Sequence, residues 1–195
     1  MILEGRWIRL EPLEQRHAEG LAAASANDPE LYRWSAVPQT LEAVKRYIDA
    51  AQTAVPFAVI RLADGDVIGS TRFWLLEKWA WPEGHPRCGK PYDACEIGHT
   101  WYTRSAIRTA ANTEAKLLML THAFETWEML RVCLHTDARN ERSRAAIARL
   151  GARFEGILRA HRMAADFTPR DSARFSILAS EWPGVKQRLS AMLNT

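Results

Sequence analysis

The chain has no apolar run near the roughly 20 residues needed to cross a bilayer. Its start, Met1-Ile2-Leu3-Glu4-Gly5-Arg6, lacks the basic stretch and apolar core of a secretory signal, which favours the cytoplasm. Cysteine is scarce: Cys88, Cys95 and Cys133, an odd number with no Cys-x-x-Cys pair. A disulfide framework is therefore not expected. Cys133 sits in an apolar strand and reads as a small core residue. A zinc site at Cys88 and Cys95 would need His85 or His99, and that spacing matches no familiar zinc pattern, so no metal is expected. Strong charge is missing too, with a formal net charge of only +3, so bulk electrostatics give no case for nucleic acid. No Gly-x-Ser-x-Gly elbow occurs. Repeats, low-complexity segments and linkers are also absent. What remains is an ordinary globular composition, 47% hydrophobic and 25% charged in 195 residues, enough for one domain over 1–195 with a sizeable core.

Periodicity gives the elements. Trp7-Ile8-Arg9-Leu10 alternates as a strand ended by Pro12. Gln15 to Ala26 reads as a helix closed by Asn27-Asp28-Pro29. Leu41, Val44, Ile48 and Ala51 lie at helical spacing behind a Thr40 cap. Phe57–Leu62 and Val67–Leu76 flank the turn Asp64-Gly65-Asp66, which makes a hairpin. Glu77 to Asp93, with Trp79, Trp81, Pro82, Gly84, Pro86, Gly89 and Pro91, is irregular. A loop of that length is either functional or a surface excursion whose aromatics pack locally. Strands follow at Ala94–Tyr102 and Arg131–Thr136, with a helix over Thr113–Glu128 between them. Glu141–Leu150 is a helix with Gly151 as its C-cap. Phe154–Met163 and Ala173–Leu178 close the sheet, and Trp182, Val185, Leu189 and Met192 mark a last amphipathic helix. Hairpins outnumber βαβ crossovers, so the fold class is mixed α/β (α+β) with a mostly antiparallel sheet.

Two of the helices begin in polar segments that follow apolar strands: Arg108-Thr109-Ala110-Ala111-Asn112-Thr113 and Asp137-Ala138-Arg139-Asn140-Glu141-Arg142-Ser143. Free N–H groups and partial positive charge at a helix start suit a phosphate. The plainer reading is an ordinary turn with Asn112 as cap, and no glycine lies between Gly98 and Gly151. Glu96 lies in Cys95-Glu96-Ile97-Gly98-His99-Thr100-Trp101. Alternation there puts Ile97, His99 and Trp101 on one face and Glu96, Gly98 and Thr100 on the other. Arg72, Trp74, Trp34 and Tyr32 are candidates for a substrate wall, although aromatics at such positions are more often core. His99, His122, His135 and His161 do not converge in sequence. Arg139, Arg142, Arg144 and Arg149 raise nucleic-acid binding, but read most simply as a solvated helix face.

Three separated motifs carry a resemblance. Asn112-Thr113-Glu114-Ala115-Lys116-Leu117-Leu118 with Asp137-Ala138-Arg139-Asn140-Glu141-Arg142-Ser143-Arg144-Ala145-Ala146-Ile147 resembles the GNAT acetyltransferases, in particular the RimJ/RimL-like ribosomal-protein N-terminal acetyltransferases. The opening Leu3-Glu4-Gly5-Arg6-Trp7-Ile8-Arg9-Leu10-Glu11-Pro12-Leu13 and the ending Ser176-Ile177-Leu178 with Glu181-Trp182-Pro183-Gly184-Val185-Lys186 are similar to that group. The general cofactor motif, Gln/Arg-x-x-Gly-x-Gly/Ala, is altered: Ile107, Ala110 and Asn112 stand at its marked positions. Ala110 serves only if its backbone avoids a positive φ.

The resemblance implies a GNAT-like sheet with flanking helices and a central parallel pair, Ala94–Tyr102 and Arg131–Thr136, splayed to admit acetyl-CoA. It implies that Arg108, Thr109, Ala110, Ala111, Asn112 and Thr113 cradle the pyrophosphate, and that Thr100 and Trp101 run beside the cofactor. Asn140 would bond the pantetheine arm and Ser143 would protonate the departing thiolate. Glu96 would be the general base, its pKa raised by partial burial. The implied activity is acetyl transfer to a primary amine, a protein N-terminus or a small molecule, by direct attack. The altered loop motivates an alternative, a non-catalytic CoA-binding sensor or interaction module. The implied partners exclude nucleic acid and membrane, and the Trp-rich loop and C-terminal helix offer surfaces for a homodimer.

Overall fold

The computed structural model describes residues 1–26 and 28–194; Asn27, assigned to the turn after the first helix, lies outside the described residues. The elements run β1 (Leu3–Glu4), β2 (Ile8–Pro12), α1 (Ala18–Ser25), α2 (Leu41–Ala51), β3 (Val55–Arg61), β4 (Val67–Glu77), β5 (Ala94–Tyr102), α3 (Ala111–Thr121), β6 (Arg131–Asp137), α4 (Glu141–Arg149), β7 (Arg153–Met163), β8 (Pro169–Leu178) and α5 (Trp182–Leu193). Among the described residues the strands form one sheet in the order β1-β2-β3-β4-β5-β6-β8-β7. Neighbours are antiparallel except β5 and β6.

Local chemistry sets the ends of the elements. Thr40 Oγ1 accepts from Ala43 N at 3.2 Å and starts α2. Gly151 follows α4 with φ +101°, a left-handed C-cap that a Cβ would strain. Some boundaries differ from the sequence pattern. The helix expected from Gln15 begins as a tight 3₁₀ turn, Gln15–His17, before α1. β8 begins at Pro169, four residues before the expected Ala173 (173 − 169 = 4). The helix expected over Thr113–Glu128 starts at Ala111, and past Thr121 it widens into a π-turn over His122–Thr126. Asn112 therefore lies inside α3, and Ala110, not Asn112, is its cap.

The sheet is covered on both faces. Ile8, Leu10, Phe57, Val59, Phe73, Ile97, Val132, Phe175 and Ile177 pack with Ala115, Met119 and Leu120 of α3 and Val185 and Leu189 of α5. A second cluster joins Leu21 of α1, Val44 and Ile48 of α2, and Ala58, Ile60 and Trp101 of the sheet. No helix is long and apolar enough to cross a membrane, among the described residues.

Candidate functional site

β5 and β6 pair only through Ala94↔Arg131, Cys95↔Val132 and Glu96↔Cys133, although β5 runs on to Tyr102 and β6 to Asp137. Past Glu96 the strands part. A cavity of about 670 Å³ opens at the gap, and its lining includes Gly98, Thr100, Trp101, Leu134, His135 and Asn140. Backbone groups on the facing edges of a parted pair have no ladder partner there and are free for a ligand.

A bulge redirects β5 inside the cavity. Gly98 pairs with Arg72 and Trp101 with Ser70, so His99 and Thr100 together face Thr71 alone. His99 takes up the extra residue with φ +49°. The alternation expected from the sequence therefore breaks: Ile97 packs with α3, whereas Trp101 joins the opposite cluster, with its ring edge-on to Tyr32 at 5.9 Å. Thr100 turns toward α3, where its Oγ1 lies 2.7 Å from Thr71 Oγ1 and accepts from Lys116 Nζ at 2.9 Å. Gly98 is needed for close approach, because a Cβ there would meet Trp74 Nε1 at 2.7 Å.

The start of α3 borders the cavity. Arg108, Thr109 and Asn112 line it, while Ala110, Ala111 and Thr113 do not. Ala110 has φ −63°, so alanine suits that position, and the positive φ falls on Arg108 at +62°. No side chain caps α3 at Ala110, which leaves first-turn N–H groups without an intrahelical acceptor. Ala111 N donates to Thr109 Oγ1 at 3.3 Å, and the Thr113 hydroxyl accepts from Arg149 Nη2 at 2.9 Å. At the start of α4, Asn140 Oδ1 accepts from Ser143 N at 3.0 Å. That cap uses its carbonyl and leaves its NH₂ group without a partner among the described residues; Asn140 and Ser143 both line the cavity.

The arginines around α4 are not simply a solvated face. Arg139 is paired with Asp137 at 2.8 Å and stacks over Trp34 at 4.4 Å. Arg142 donates to Leu31 O at 2.7 Å and Arg144 to Ala138 O at 3.2 Å. Arg142 and Arg149 reach the cavity beside Arg108.

Glu96 is 2% exposed. Its carboxylate accepts from Arg162 Nη1 at 3.1 Å and Nη2 at 2.8 Å, and His135 Nδ1 lies 2.7 Å from Oε2. Burial pushes its pKa up, but His135 and Arg162 outweigh that and hold it down to about 2. This corrects the expectation of a raised pKa: burial came with an arginine fork, and the charged partner wins. Sequence spacing brought Arg162 and His135 to no one's side, yet β7 and β6 deliver both to Glu96. His135 Nε2 is buried without a partner among the described residues. Arg162 also stacks over Trp74 at 4.2 Å, and Trp74 meets His99 edge-on at 4.6 Å. Desolvation, with Arg72 nearby, pushes the His99 pKa down to about 4, so that ring is neutral at pH 7. Trp34, Tyr32 and Trp74 line the cavity; Arg72 does not, although Tyr47 beneath it does. Among the described residues no group of three His, Cys, Asp or Glu side chains is placed to hold a metal ion.

A sheet parted at one parallel pair, with two helix starts facing the gap, makes room for a ligand with an anionic end. The chain belongs to the GNAT acetyltransferases: a family model described as "Acetyltransferase (GNAT) domain" matches residues 8–153. It is similar to a GCN5-related N-acetyltransferase from Brucella melitensis, with 34% identity and a TM-score of 0.85 over 98% of this chain and 84% of that one. Two more distant structures share the fold. Mycobacterium smegmatis RimJ, in complex with CoA-disulfide, has 22% identity and a TM-score of 0.77 over 95% of this chain and 88% of that one. The ribosomal-protein-S5-alanine acetyltransferase from Vibrio fischeri has 17% identity and a TM-score of 0.70 over 93% and 98%. A sequence comparison with curated proteins gives no match. The chain is thus an N-acetyltransferase by family.

Proposed function

We propose that this protein transfers the acetyl group of acetyl-CoA to a primary amine by direct attack in a ternary complex. The observation that carries the reading is the parting of β5 from β6 after Glu96↔Cys133, which opens a ligand-sized cavity between the two helix starts. The residues suit the donor. The uncapped start of α3, from Arg108 through Thr109, Ala110, Ala111 and Asn112 to Thr113, offers backbone N–H groups and a guanidinium to a pyrophosphate. Thr100 and Trp101 lie along the free edge of β5, where a pantetheine arm can pair. The Asn140 NH₂ group faces the same space. RimJ, a fold neighbour, was solved with CoA-disulfide.

An amine is a cation at neutral pH and must lose a proton before it attacks. His135 is suited to take it: Nδ1 lies 2.7 Å from Glu96 Oε2, and Nε2 is buried with no hydrogen-bond partner among the described residues. Glu96, ionised down to about pH 2, is then a positioning residue rather than the base. The amine nitrogen bonds to the thioester carbonyl carbon and sheds its second proton as the C–S bond breaks; Ser143, whose hydroxyl has no partner among the described residues, passes its proton to the leaving thiolate and takes up that second proton in its place through solvent. The acceptor we favour is a protein N-terminus, because RimJ and an S5-alanine acetyltransferase are among the fold neighbours; this is analogy of fold.

Thiol release from acetyl-CoA with a panel of peptides and small amines tests the transfer. The roles of Glu96 and His135 are tested by Glu96→Gln, His135→Gln and the double variant. Each single change lowers kcat by ~10²–10⁴-fold with little effect on KM for acetyl-CoA, and the double variant loses no more than the worse single one. Additive losses would separate the two residues and remove the dyad. Tight CoA binding without turnover of any amine would favour a non-catalytic CoA-binding module.

A further inference from the structure

The far wall of the cavity holds more positive charge than its carboxylates can neutralise. Arg162 on β7 and Arg170 on β8 stand directly opposite each other in register. Like charges in that position repel. Arg162 is compensated by Glu96. Arg170 is not: among the described residues its Nε and Nη2 donate only to Ser172 Oγ, at 3.1 and 3.0 Å. The other cavity carboxylate, Asp137, is taken up by Arg139 through bonds of 2.9 and 2.8 Å. Desolvation and the Arg162 charge push the Arg170 pKa down, and they outweigh the upward pull of Asp137 and Glu96, neither of which is in contact with it. Arg72 on β4 is more isolated still. It is 7% exposed, its Nε is buried without an acceptor, and its guanidinium rests on the Tyr47 ring at 4.9 Å. Neither Arg72 nor Arg170 has a carboxylate oxygen within 4.0 Å among the described residues. A buried guanidinium without an acceptor is costly, and a fold keeps one where something else supplies the anion.

We propose that the acetyl acceptor is a primary amine that also carries a carboxylate, and that Arg170, which lines the cavity, recognises that carboxylate. This rests on the acetyl-transfer reading and names the substrate class within it. The planar guanidinium fork matches a carboxylate with two parallel bonds. The neutral His99 and the Trp74 face, already stacked on Arg162, leave the carbon skeleton an uncharged wall. Two sources present the same chemistry: a free amino acid, or a peptide N-terminus followed by an acidic side chain.

Matched acceptors separate these. Glutamate is compared with its diamide, and an Ala-Asp peptide amide with its Ala-Asn counterpart, by thiol release at saturating acetyl-CoA. The carboxylate member of one pair is expected to be better by about tenfold or more in kcat/KM, mainly through KM, since a charge-assisted bond contributes that much. Preference within the first pair assigns a free amino acid; preference only within the second assigns an acidic N-terminus. Arg170→Gln is expected to erase the preference while calorimetry shows unchanged CoA affinity, and Arg170→Lys to restore part of it. Equal kcat/KM within both pairs, or a preference that survives in Arg170→Gln, would overturn the inference and leave the enzyme an acetyltransferase. CoA binding with no turnover of any amine would instead overturn the transfer reading itself.

Discussion

Glu114 ties the start of the chain to α3. Its Oε1 accepts from Arg6 N at 2.7 Å, and its Oε2 accepts from Trp7 N and Ile8 N, both at 2.8 Å. One buried carboxylate thus satisfies three consecutive N–H groups where the chain enters β2, and holds α3 against that edge. Glu114→Gln can turn its oxygen toward Trp7 and Ile8, but its NH₂ group then faces the Arg6 N–H donor to donor. The expected loss is ~1–3 kcal/mol, and a melting temperature lower by a few degrees in a thermal scan. An unchanged melting temperature would mean the turn finds other acceptors. At this scale the sequence was partly legible. Thr40 is a local cap whose partner lies three residues on, so spacing alone located it, and Asn140 caps α4 in the same way. Glu114 gave no such signal, because its partners are more than 100 residues away along the chain. The Glu96 carboxylate was found by its strand, but the direction of its pKa was not, because Arg162 arrives from β7.

The segment between β4 and β5 shows the same limit at the level of an element. Its aromatics and prolines were open to two readings, a functional loop or a locally packed excursion. Local packing is what forms, around Asp93: the carboxylate accepts from Trp79 N at 2.8 Å, Trp81 Nε1 at 2.9 Å and Arg87 Nη2 at 2.8 Å. Trp81 stacks on His85 at 4.3 Å, and no residue of 77–93 lines the cavity. Burial acts to raise the Asp93 pKa, but the bonds from Trp79, Trp81 and Arg87 prevail and lower it to about 2. Asp93→Asn keeps the size and loses the charge at this hub. Local opening should become easier while the sheet holds, so trypsin should cut at Lys78 or Arg87 about tenfold faster under native conditions, from the ~1.5 kcal/mol or more that charged hydrogen bonds contribute. A global collapse in melting temperature with no selective cleavage would show that the loop is part of the main cooperative unit. The strands and helices themselves were readable because their apolar periods are strong. The bulge at His99 was not, since a non-glycine residue at φ +49° is imposed by the register with β4 and not by its own chemistry.

Across the whole molecule, the sheet carries two cores and a cavity, and one charged group lies where α3 crosses the sheet near that cavity. Lys116 is 4% exposed, and among the described residues its Nζ meets only Thr100 Oγ1 at 2.9 Å and Thr71 Oγ1 at 3.3 Å. Desolvation lowers its pKa from 10.5 to about 7. The folded chain therefore releases this proton near pH 7, while the unfolded chain keeps it to about 10.5. Between those values the unfolded state binds more protons, so this group makes stability rise with pH, by at most about 1.4 kcal/mol per pH unit. Below pH 7 the folded state must carry a buried ammonium, and the full penalty applies. Lys116→Met removes the amine and keeps most of the volume, and the two threonine hydroxyls, 2.7 Å apart, still bond to each other. The variant should be more stable than the parent at pH 6, and its advantage should shrink steadily from pH 7 to pH 10 in denaturant titrations. A stability gap that does not change with pH would mean that Lys116 holds its proton in the folded state, and that an anion or solvent reaches it from the cavity side.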